Sequence, residues 1–418
     1  MGGQPGGEAV TLADVEAARG AIADLVVTTP ALRFPGVEAR CGCSAVLKAE
    51  SLQYSGSFKI RGATSKMLAS ERARAHGVVA GTAGNHGHAV ALAARRQGVP
   101  CDLFVPTDAP VSKTRPAERL GATVHTREGT VDDCVEAARE FAHSHRVELF
   151  HPFDDPAVIA GQGTIGLELA EQVPDLGRVI VPLGGGGLAG GIAVAVKALR
   201  PEVEVVGVQV EACASFPASL AAGEPVTVSA AQTVADGIAV KRPGGLTLPL
   251  IAHHVDRVAV VSDDEVGDAM ALLLGEAKLV VEGAGAVGVA ALLSGREPPE
   301  ARGTTAIVLS GGNIDEEWLV AVARRGEAQQ GRGLIIFTVV PDRPGALARL
   351  LETVARTGAN VSDVRHVREA IHLGIAETGV ELILETRGAA HGKKIVTALR
   401  AAGYPMRDIT YPDQEERR

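Results

Sequence analysis

Short apolar runs alternate with helical patterns along residues 46–320, and this alternation is the strongest constraint on the fold. The runs that have the length and composition of strands are "AVLKAE", "GVVAG", "CDLFVP", "ATVHT", "RVIVPLG", "VEVVGVQV" and "TTAIVLSGG". Helical stretches such as 131–145 and 188–200 lie between them. Strands that are apolar on both faces and alternate with helices predict an α/β fold with open parallel sheets covered by helices.

The composition excludes several classes of partner. Glycine accounts for 50 of 418 residues, which suits tight, backbone-lined loops, and the net charge is -9 without a long basic run. We therefore expect no nucleic acid and no membrane as a partner. The N-terminal segment lacks the basic and apolar regions of a signal peptide, and no apolar segment has membrane-spanning length, so we expect a cytoplasmic protein.

The cysteines and histidines form no pattern typical of a metal site. The cysteines are odd in number and scattered, which predicts reduced thiols at positions 41, 43, 101, 134 and 213. His86 and His88 would not share a helix face and have no acidic or cysteine partner nearby in sequence. We therefore expect no metal site.

A change in composition near Arg324 predicts a second domain. The polar stretch "RRGEAQQGRG" is typical of a linker, which we place at 326–333, between a domain at 1–325 and one at 334–418. Beyond it the predicted order is strand, helix, strand, strand, helix, strand. That order indicates a small ferredoxin-like βαββαβ domain.

The segment "VIVPLGGGGLAGGIAVAV" places Gly184 to Gly187 between a predicted strand and a predicted helix. Backbone amides of such a loop, together with the helix N-terminus, favour an anion, and phosphate is the natural ligand. The segment also fits G-x-G-x-x-G, with Glu211 at the end of the next strand. Taken alone, it leaves open an NAD-dependent dehydrogenase, another phosphate binder or a tight turn without a ligand.

Three further segments carry polar groups at the ends of predicted elements. "GSFKIRGA" places Lys59 at a helix start, where it is either surface charge or a nucleophile in a pocket. "GTAGNHGHA" follows a strand and offers a hydroxyl, backbone amides and Asn85 to a small carboxylate, although Thr and Asn also cap helices. "LSGGN" ends an apolar strand with Ser310. Ligands bind at such strand ends in open α/β sheets.

With these segments the chain resembles the fold-type II pyridoxal 5'-phosphate enzymes, and most closely the threonine ammonia-lyases. The resemblance covers nearly the whole chain and rests on the order of "GSFKIRGA", "AGNH", "HPFDDPAVIAGQGTIGLEL", "GGGGLAGGIA", "TVADGIAV", "EGAGA" and "LSGGNID". It implies a tryptophan synthase β-like catalytic domain with two open parallel-sheet parts, the smaller at about 56–154. It also implies pyridoxal 5'-phosphate as the cofactor.

The resemblance implies roles for individual residues. Lys59 would bond covalently to the cofactor aldehyde and then remove the substrate's Cα proton, and Phe58 would pack against the ring. Asn85 would hydrogen-bond the ring hydroxyl, and Ser310 would face the pyridine nitrogen. The cofactor phosphate would be held by Gly184, Gly185, Gly186 and Gly187. The substrate carboxylate would be bound by Thr82, Ala83, Gly84, Asn85 and His86. Independently of the resemblance, we expect Arg61 to be a structural or electrostatic neighbour that helps to keep the pKa of the lysine low.

The implied reaction is β-elimination and deamination of L-threonine to 2-oxobutanoate and ammonia, with L-serine giving pyruvate as a second reaction. Ala83 stands where serine racemases carry a second acid-base serine, which favours a lyase. His88 and Thr64 depart from residues common in the bacterial enzymes. An ammonia-lyase for serine or another 3-hydroxy amino acid is therefore an alternative.

The C-terminal segment resembles an ACT domain through "VVPDRPGALARLL" and "GANVSDVRH". The resemblance implies allosteric control by an amino acid, with isoleucine or valine as the expected effector, and assembly into a homodimer or homotetramer. A helix N-terminus after the first strand would suit the effector's carboxylate. The residues expected to bind the effector are Asp342, Arg343, Gly345 and Asn360. A packing module without a ligand and a non-catalytic amino-acid sensor are alternatives.

Overall fold

The structure is a computed structural model that describes residues 10–299, 302–329, 331–367 and 373–408. The chain divides into two compact units, Met1–Glu316 and Glu317–Arg418. The first unit contains two largely parallel sheets, and the second contains one antiparallel sheet.

The elements of the first unit alternate between strand and helix for most of its length. Its strands are β1 Ala31–Leu32, β2 Ala45–Ala49, β3 Val78–Gly81, β4 Cys101–Pro106, β5 Thr123–Arg127, β6 Glu148–Leu149, β7 Leu176–Pro182, β8 Glu204–Val210, β9 Arg257–Val261 and β10 Thr304–Leu309. Its helices are α1 Leu12–Ile22, α2 Pro35–Cys41, α3 Lys59–Ala69, α4 Glu71–His76, α5 Asn85–Gln97, α6 Val111–Arg119, α7 Val131–His145, α8 Pro156–Gln172, α9 Gly187–Leu199, α10 Ser215–Ala222, α11 Thr247–His254, α12 Asp263–Leu272 and α13 Gly283–Leu293.

The two sheets of this unit confirm the predicted α/β architecture. One has the strand order β1-β2-β10-β7-β8-β9 and is parallel except for the β1–β2 pair. The other has the order β5-β4-β3-β6 and is entirely parallel. It lies inside the segment expected for the smaller part. The sequence reasoning missed β1, β6 and β9.

The central strands are buried on both faces, as parallel strands between helical layers must be. Every residue of β2 and β10 is buried. Glycine allows helix α13 to approach the sheet closely, because a Cβ at Gly288 would lie 2.7 Å from Cγ2 of Ile307. The carboxyl end of β3 leads into residues 82–86, here called the asparagine loop. The carboxyl end of β7 leads into Gly184–Gly187, here called the glycine loop, and that of β10 leads into Ser310. All three segments therefore lie at the carboxyl ends of parallel strands.

The second unit has the predicted ferredoxin-like order within its described residues. Its elements are α14 Glu316–Gln329, β11 Gly333–Pro341, α15 Ala346–Arg356, β12 Asn360–Val367, β13 Glu377–Glu385, α16 Ala389–Ala401 and β14 Met406–Asp408. The antiparallel sheet has the order β12-β13-β11-β14. Leu350 and Val354 of α15 are fully buried, as their spacing predicts. Residues 409–411 of the last predicted strand lie outside the described residues.

The first half of the predicted linker is helical. Helix α14 continues to Gln329, so the first four residues of the segment 326–333 belong to it, and β11 begins at Gly333. The division between the units also falls earlier than 325, after Glu316. Ala, Arg, Glu and Gln all favour helix, and a single glycine inside a helix costs only about 1 kcal/mol. A polar composition therefore does not distinguish a linker from a helix in this segment.

No helix within the described residues is long and apolar enough to span a membrane.

A buried ion network joins β2, α3 and α8. Arg61 is fully buried and donates to both carboxylate oxygens of Glu50, at 2.8 Å each, and to both of Glu168, at 2.5 and 2.9 Å. Lys48 donates to Glu168 at 2.5 Å and to the Thr29 carbonyl at 2.6 Å. Two cations and two carboxylates thus compensate one another away from water.

We expect Glu168→Ala to lower the free energy of unfolding of the first unit by about 3–5 kcal/mol, because it leaves Arg61 and Lys48 as uncompensated buried charges. Denaturant titration measures the loss. Glu171→Ala is a matched control on the same helix: its carboxylate pairs with Arg19 at the surface, with 66% of its side chain exposed. Glu171→Ala should lower the free energy of unfolding by at most about 1 kcal/mol. Equal losses in the two variants would contradict a structural role of the network.

Candidate active site

The lysine segment, "GSFKIRGA", and the Ser310 segment, "LSGGN", are hydrogen-bonded to each other. Ser57 and Gly311 form an antiparallel bridge, the Phe58 N–H donates to the Ser310 carbonyl (2.9 Å), and the Gly312 N–H donates to the Gly56 carbonyl (2.9 Å). These contacts join residues that are far apart in the sequence. They place Lys59 and Ser310 close together.

Lys59 is the first residue of α3, and its side chain is half-buried. Its Nζ donates to the Pro152 carbonyl (2.8 Å) and lies 5.2 Å from the centre of the Phe58 ring. Burial lowers the pKa of Lys59 to about 8, and the nearby Glu282 carboxylate opposes this shift. A substantial fraction of the amine is therefore neutral and nucleophilic in mildly alkaline solution.

Of the two roles expected for Arg61, its contacts support the structural one and not the electrostatic one. The lowered pKa of Lys59 comes from burial, whereas the guanidinium of Arg61 is directed into the ion network with Glu50 and Glu168. Two carboxylates neutralise its charge locally, so little of its field reaches the lysine. Arg61 anchors helix α3 and does not tune the amine.

Asn85 begins α5 and lies between two other side chains of the site. Its Nδ2 donates to Oε1 (2.7 Å) and Oε2 (3.0 Å) of Glu282, and its Oδ1 accepts from Nδ2 of Asn313 (2.6 Å). The same Asn313 Nδ2 donates to the Ser55 carbonyl (2.9 Å). A chain of hydrogen bonds thus connects the asparagine loop to the lysine segment.

Glu282 is a site residue that the sequence reasoning missed. It is 7% exposed, its N–H donates to the Gly311 carbonyl (3.0 Å), and burial raises the pKa of its carboxyl to about 7. A Cβ at Gly311 would lie 2.3 Å from Oε1 of Glu282, so only glycine fits beside it. An acidic residue between two valines and a run of glycine and alanine, in "VVEGAGA", was the available signal.

The rest of the predicted carboxylate loop lies between β3 and the first turn of α5. The Thr82 hydroxyl accepts from the N–H groups of Gly84 and Gly87, at 3.1 Å each, which fixes the turn. His86 is buried, and its Nε2 donates to the Phe150 carbonyl (2.9 Å). Burial lowers the pKa of His86 to about 3, so its ring is neutral. Ala83 is partly buried and offers no acid-base group.

The glycine loop connects β7 to the N-terminus of α9. Gly186 has φ +95°, a conformation that side-chain-bearing residues rarely adopt, and a Cβ at Gly185 would lie 2.3 Å from the Phe153 ring. Phe153 directly follows Pro152, which accepts the hydrogen bond of Lys59. The amine and the loop therefore contact consecutive residues. The first amides of α9 lack partners within the helix and can bind an anion.

An ion cluster that the sequence did not predict lies beside the asparagine loop. Lys113 of α6 forms ion pairs with Asp236 and, at 3.7 Å, with Asp315. The Ser112 hydroxyl donates to Oδ1 of Asp315 (2.7 Å). The Lys113 side chain approaches the asparagine loop, since its Cδ would lie 3.8 Å from a Cβ at Gly84. The cluster links the smaller sheet to segments that follow strands of the larger one.

Comparisons with known proteins agree with this arrangement. The family model described as "Pyridoxal-phosphate dependent enzyme" matches residues 22–311. The L-threonine ammonia-lyase of Thermotoga maritima is 45% identical over 402 residues, which are 96% of this chain and 100% of the relative.

Solved structures give the same result for the first unit. The threonine deaminase isoform 2 of Solanum lycopersicum, in its processed form, is 32% identical with a TM-score of 0.70, over 75% of this chain and 91% of that chain. Maize serine racemase is 33% identical with a TM-score of 0.72, over 76% of this chain and 98% of that chain. The family match covers the lysine segment, the asparagine loop, the glycine loop and Ser310, and the chain therefore belongs to the family of pyridoxal-phosphate-dependent enzymes.

Proposed function

We propose that this enzyme converts L-threonine to 2-oxobutanoate and ammonia. The observation that carries the proposal is the placement of Lys59: a half-buried amine with a pKa of about 8, hydrogen-bonded to Pro152 and joined through the backbone to Ser310. The similar proteins named L-threonine ammonia-lyase and threonine deaminase support threonine as the substrate. An ammonia-lyase for serine or another 3-hydroxy amino acid is the second candidate.

The residues present fit pyridoxal 5'-phosphate. A poorly solvated amine suits an aldehyde, and a glycine loop at a helix N-terminus suits a phosphate. In this proposal Gly184–Gly187 bind the phosphate, Phe58 packs against the ring, Asn85 bonds its hydroxyl and Ser310 faces its nitrogen. When bound, the cofactor supplies an electron sink that acidifies the Cα–H bond of an amino acid.

Lys59 is the proposed base for the Cα proton. Its amine would accept the Cα proton of the bound substrate, and a pKa of about 8 suits proton transfer near neutral pH. The loop of Thr82, Ala83, Gly84, Asn85 and His86 holds the substrate carboxylate. Deprotonation at Cα followed by loss of the β-hydroxyl gives an enamine, which tautomerises to an imine and hydrolyses to the 2-oxo acid and ammonia.

Two features favour elimination over other reactions of the family. The Ser310 hydroxyl is neutral, so it would not hold the ring nitrogen of the bound cofactor protonated as an aspartate would, and the cofactor would then be a weaker electron sink. Ala83 carries no second acid-base group for reprotonation from the opposite face. In this proposal Lys59 is the only side chain that exchanges the Cα proton, and the β-hydroxyl leaves as water.

We also propose that the second unit is a regulatory ACT domain that binds isoleucine or valine, within a cytoplasmic homodimer or homotetramer. The exposed residues Asp342, Arg343 and Gly345 precede helix α15, whereas Asn360 begins β12. Asn360 is level with Gly333 in the sheet, eight residues from Pro341, so at about 3.4 Å per residue it lies about 27 Å from the Asp342 end. One effector contacting both places would therefore lie between two copies of the unit.

We expect threonine to be the preferred substrate. We also expect Lys59→Ala to lower kcat by about 10²–10⁴-fold, because the general base is removed. Release of 2-oxobutanoate measures turnover, and kcat/KM is compared for threonine, serine and 3-hydroxyaspartate. Lys197→Ala, at a surface ion pair with Asp256, should leave turnover unchanged. Preference for another amino acid would replace the named substrate.

In the cofactor-free enzyme, the acylation rate of Lys59 should rise through a midpoint near pH 8, because burial favours the neutral amine. A lysine standard in solution should rise near pH 10.4. Glu282→Gln should shift the midpoint of Lys59 downward, since the Glu282 carboxylate raises the pKa of Lys59. Competitive labelling with mass spectrometry measures the midpoint for Lys59 in the wild-type enzyme and in the variant. A midpoint that matches the standard would rule out the depressed pKa.

Isoleucine or valine should change the threonine concentration required for half-maximal rate by about 5–150-fold, the usual range of allosteric coupling. Arg343→Ala and Asn360→Ala should each weaken this response without altering the rate in its absence. Mixed oligomers of the two variants should recover part of the response, because one intact site can form between copies. Glu352→Ala, on the exposed surface of α15, is the control. Effector binding without keto-acid production would favour the sensor alternative.

A further inference from the structure

Thr247 is a fully buried residue at the start of α11, and its side chain contacts the glycine loop. Its hydroxyl donates to the Gly185 carbonyl (2.6 Å) and accepts from the Gly244 N–H (3.1 Å). The Gly244 carbonyl is farther away, at 3.4 Å. A hydroxyl has one proton, so the short contact directs it to Gly185.

The Gly185 carbonyl shares its peptide bond with the N–H of Gly186. In a trans peptide the C=O and N–H groups point to opposite sides of the backbone, and the described peptide bonds are all trans. Fixing the carbonyl on Thr247 therefore directs the Gly186 N–H to the opposite side of the loop. Contact is close, because a Cβ at Gly186 would lie 2.7 Å from Cβ of Thr247.

Asp154 holds the turn that carries Thr247. Its carboxylate accepts from three successive backbone N–H groups at the start of α11, those of Gly245 (3.0 Å), Leu246 (2.9 Å) and Thr247 (3.2 Å). A carboxylate at this position caps the helix and interacts favourably with its dipole. Phe153, the residue before Asp154, packs against the same loop. The turn and the loop are thus fixed from one short segment.

We infer that Thr247 is a positioning residue for the cofactor phosphate: its hydroxyl orients the Gly185–Gly186 peptide so that the Gly186 N–H donates to the phosphate. Thr247 acts through the loop and does not itself contact the cofactor. A loop that is already oriented loses less conformational freedom when the ligand binds. The inference rests on the phosphate-binding role proposed above for the glycine loop.

The test compares pyridoxal 5'-phosphate with pyridoxal, which lacks the phosphate, in reconstitution of the cofactor-free enzyme followed by absorbance. Thr247→Val keeps the size of the side chain and removes the hydroxyl. It should raise the dissociation constant for pyridoxal 5'-phosphate by about 10-fold, because the Gly185–Gly186 peptide must then be oriented during binding, and leave that for pyridoxal unchanged. Thr247→Ser should restore wild-type affinity because it keeps the hydroxyl.

Thr338→Val is a matched control, since it removes a buried threonine hydroxyl that donates to the Pro405 carbonyl at 2.6 Å in the second unit. It should leave both dissociation constants unchanged. If Thr247→Val does not fold, Thr247→Ala is measured against the same criterion. Equal weakening of both ligands, or failure of Thr247→Ser to restore affinity, would overturn the inference. Wild-type enzyme that binds both ligands equally would overturn the phosphate role as well.

Discussion

The buried charge of Arg61 is the constraint on which the catalytic unit depends. A guanidinium stays protonated in proteins, so a position without water must supply carboxylates for it. Glu50 and Glu168 meet this need from two different parts of the chain. The same side chains hold the helix that begins with Lys59, which places the reactive amine at a defined point of the site. The arginine thus fixes where the lysine is, while burial fixes how readily it loses its proton.

A second constraint arises from the close approach of backbone segments around the lysine. The lysine and Ser310 segments exchange backbone hydrogen bonds, and Glu282 fills the space beside Gly311. Asn85 joins this group through Glu282 and Asn313. Side chains from both sheets therefore form one continuous set of contacts, and a change at one member alters the surroundings of the others.

The fold, and the positions of the principal candidate residues at the ends of elements, could be predicted because their signals are local. Apolar runs gave seven strands, and motifs placed Lys59, Asn85, the glycine loop and Ser310 at the ends of elements. Thr247 carries no comparable signal, and the motif "EGAGA" contains Glu282 without revealing its contact with Asn85, because both contacts reach residues far away in the sequence. Strands β1 and β6 have two residues each, too short for any periodicity. The linker failed for a different reason: its polar residues are also good helix formers.

All five cysteines are buried, and none takes part in a disulfide. Burial raises the pKa of Cys41 and of Cys101 to about 12, and it also raises the pKa of Cys134 and Cys213. For a thiol with a pKa near 12, the thiolate fraction at neutral pH is on the order of one in 10⁵, and thiolate is the form that oxidants attack. The burial that builds the core therefore also lowers the reactivity of the Cys41 and Cys101 thiols toward oxidants.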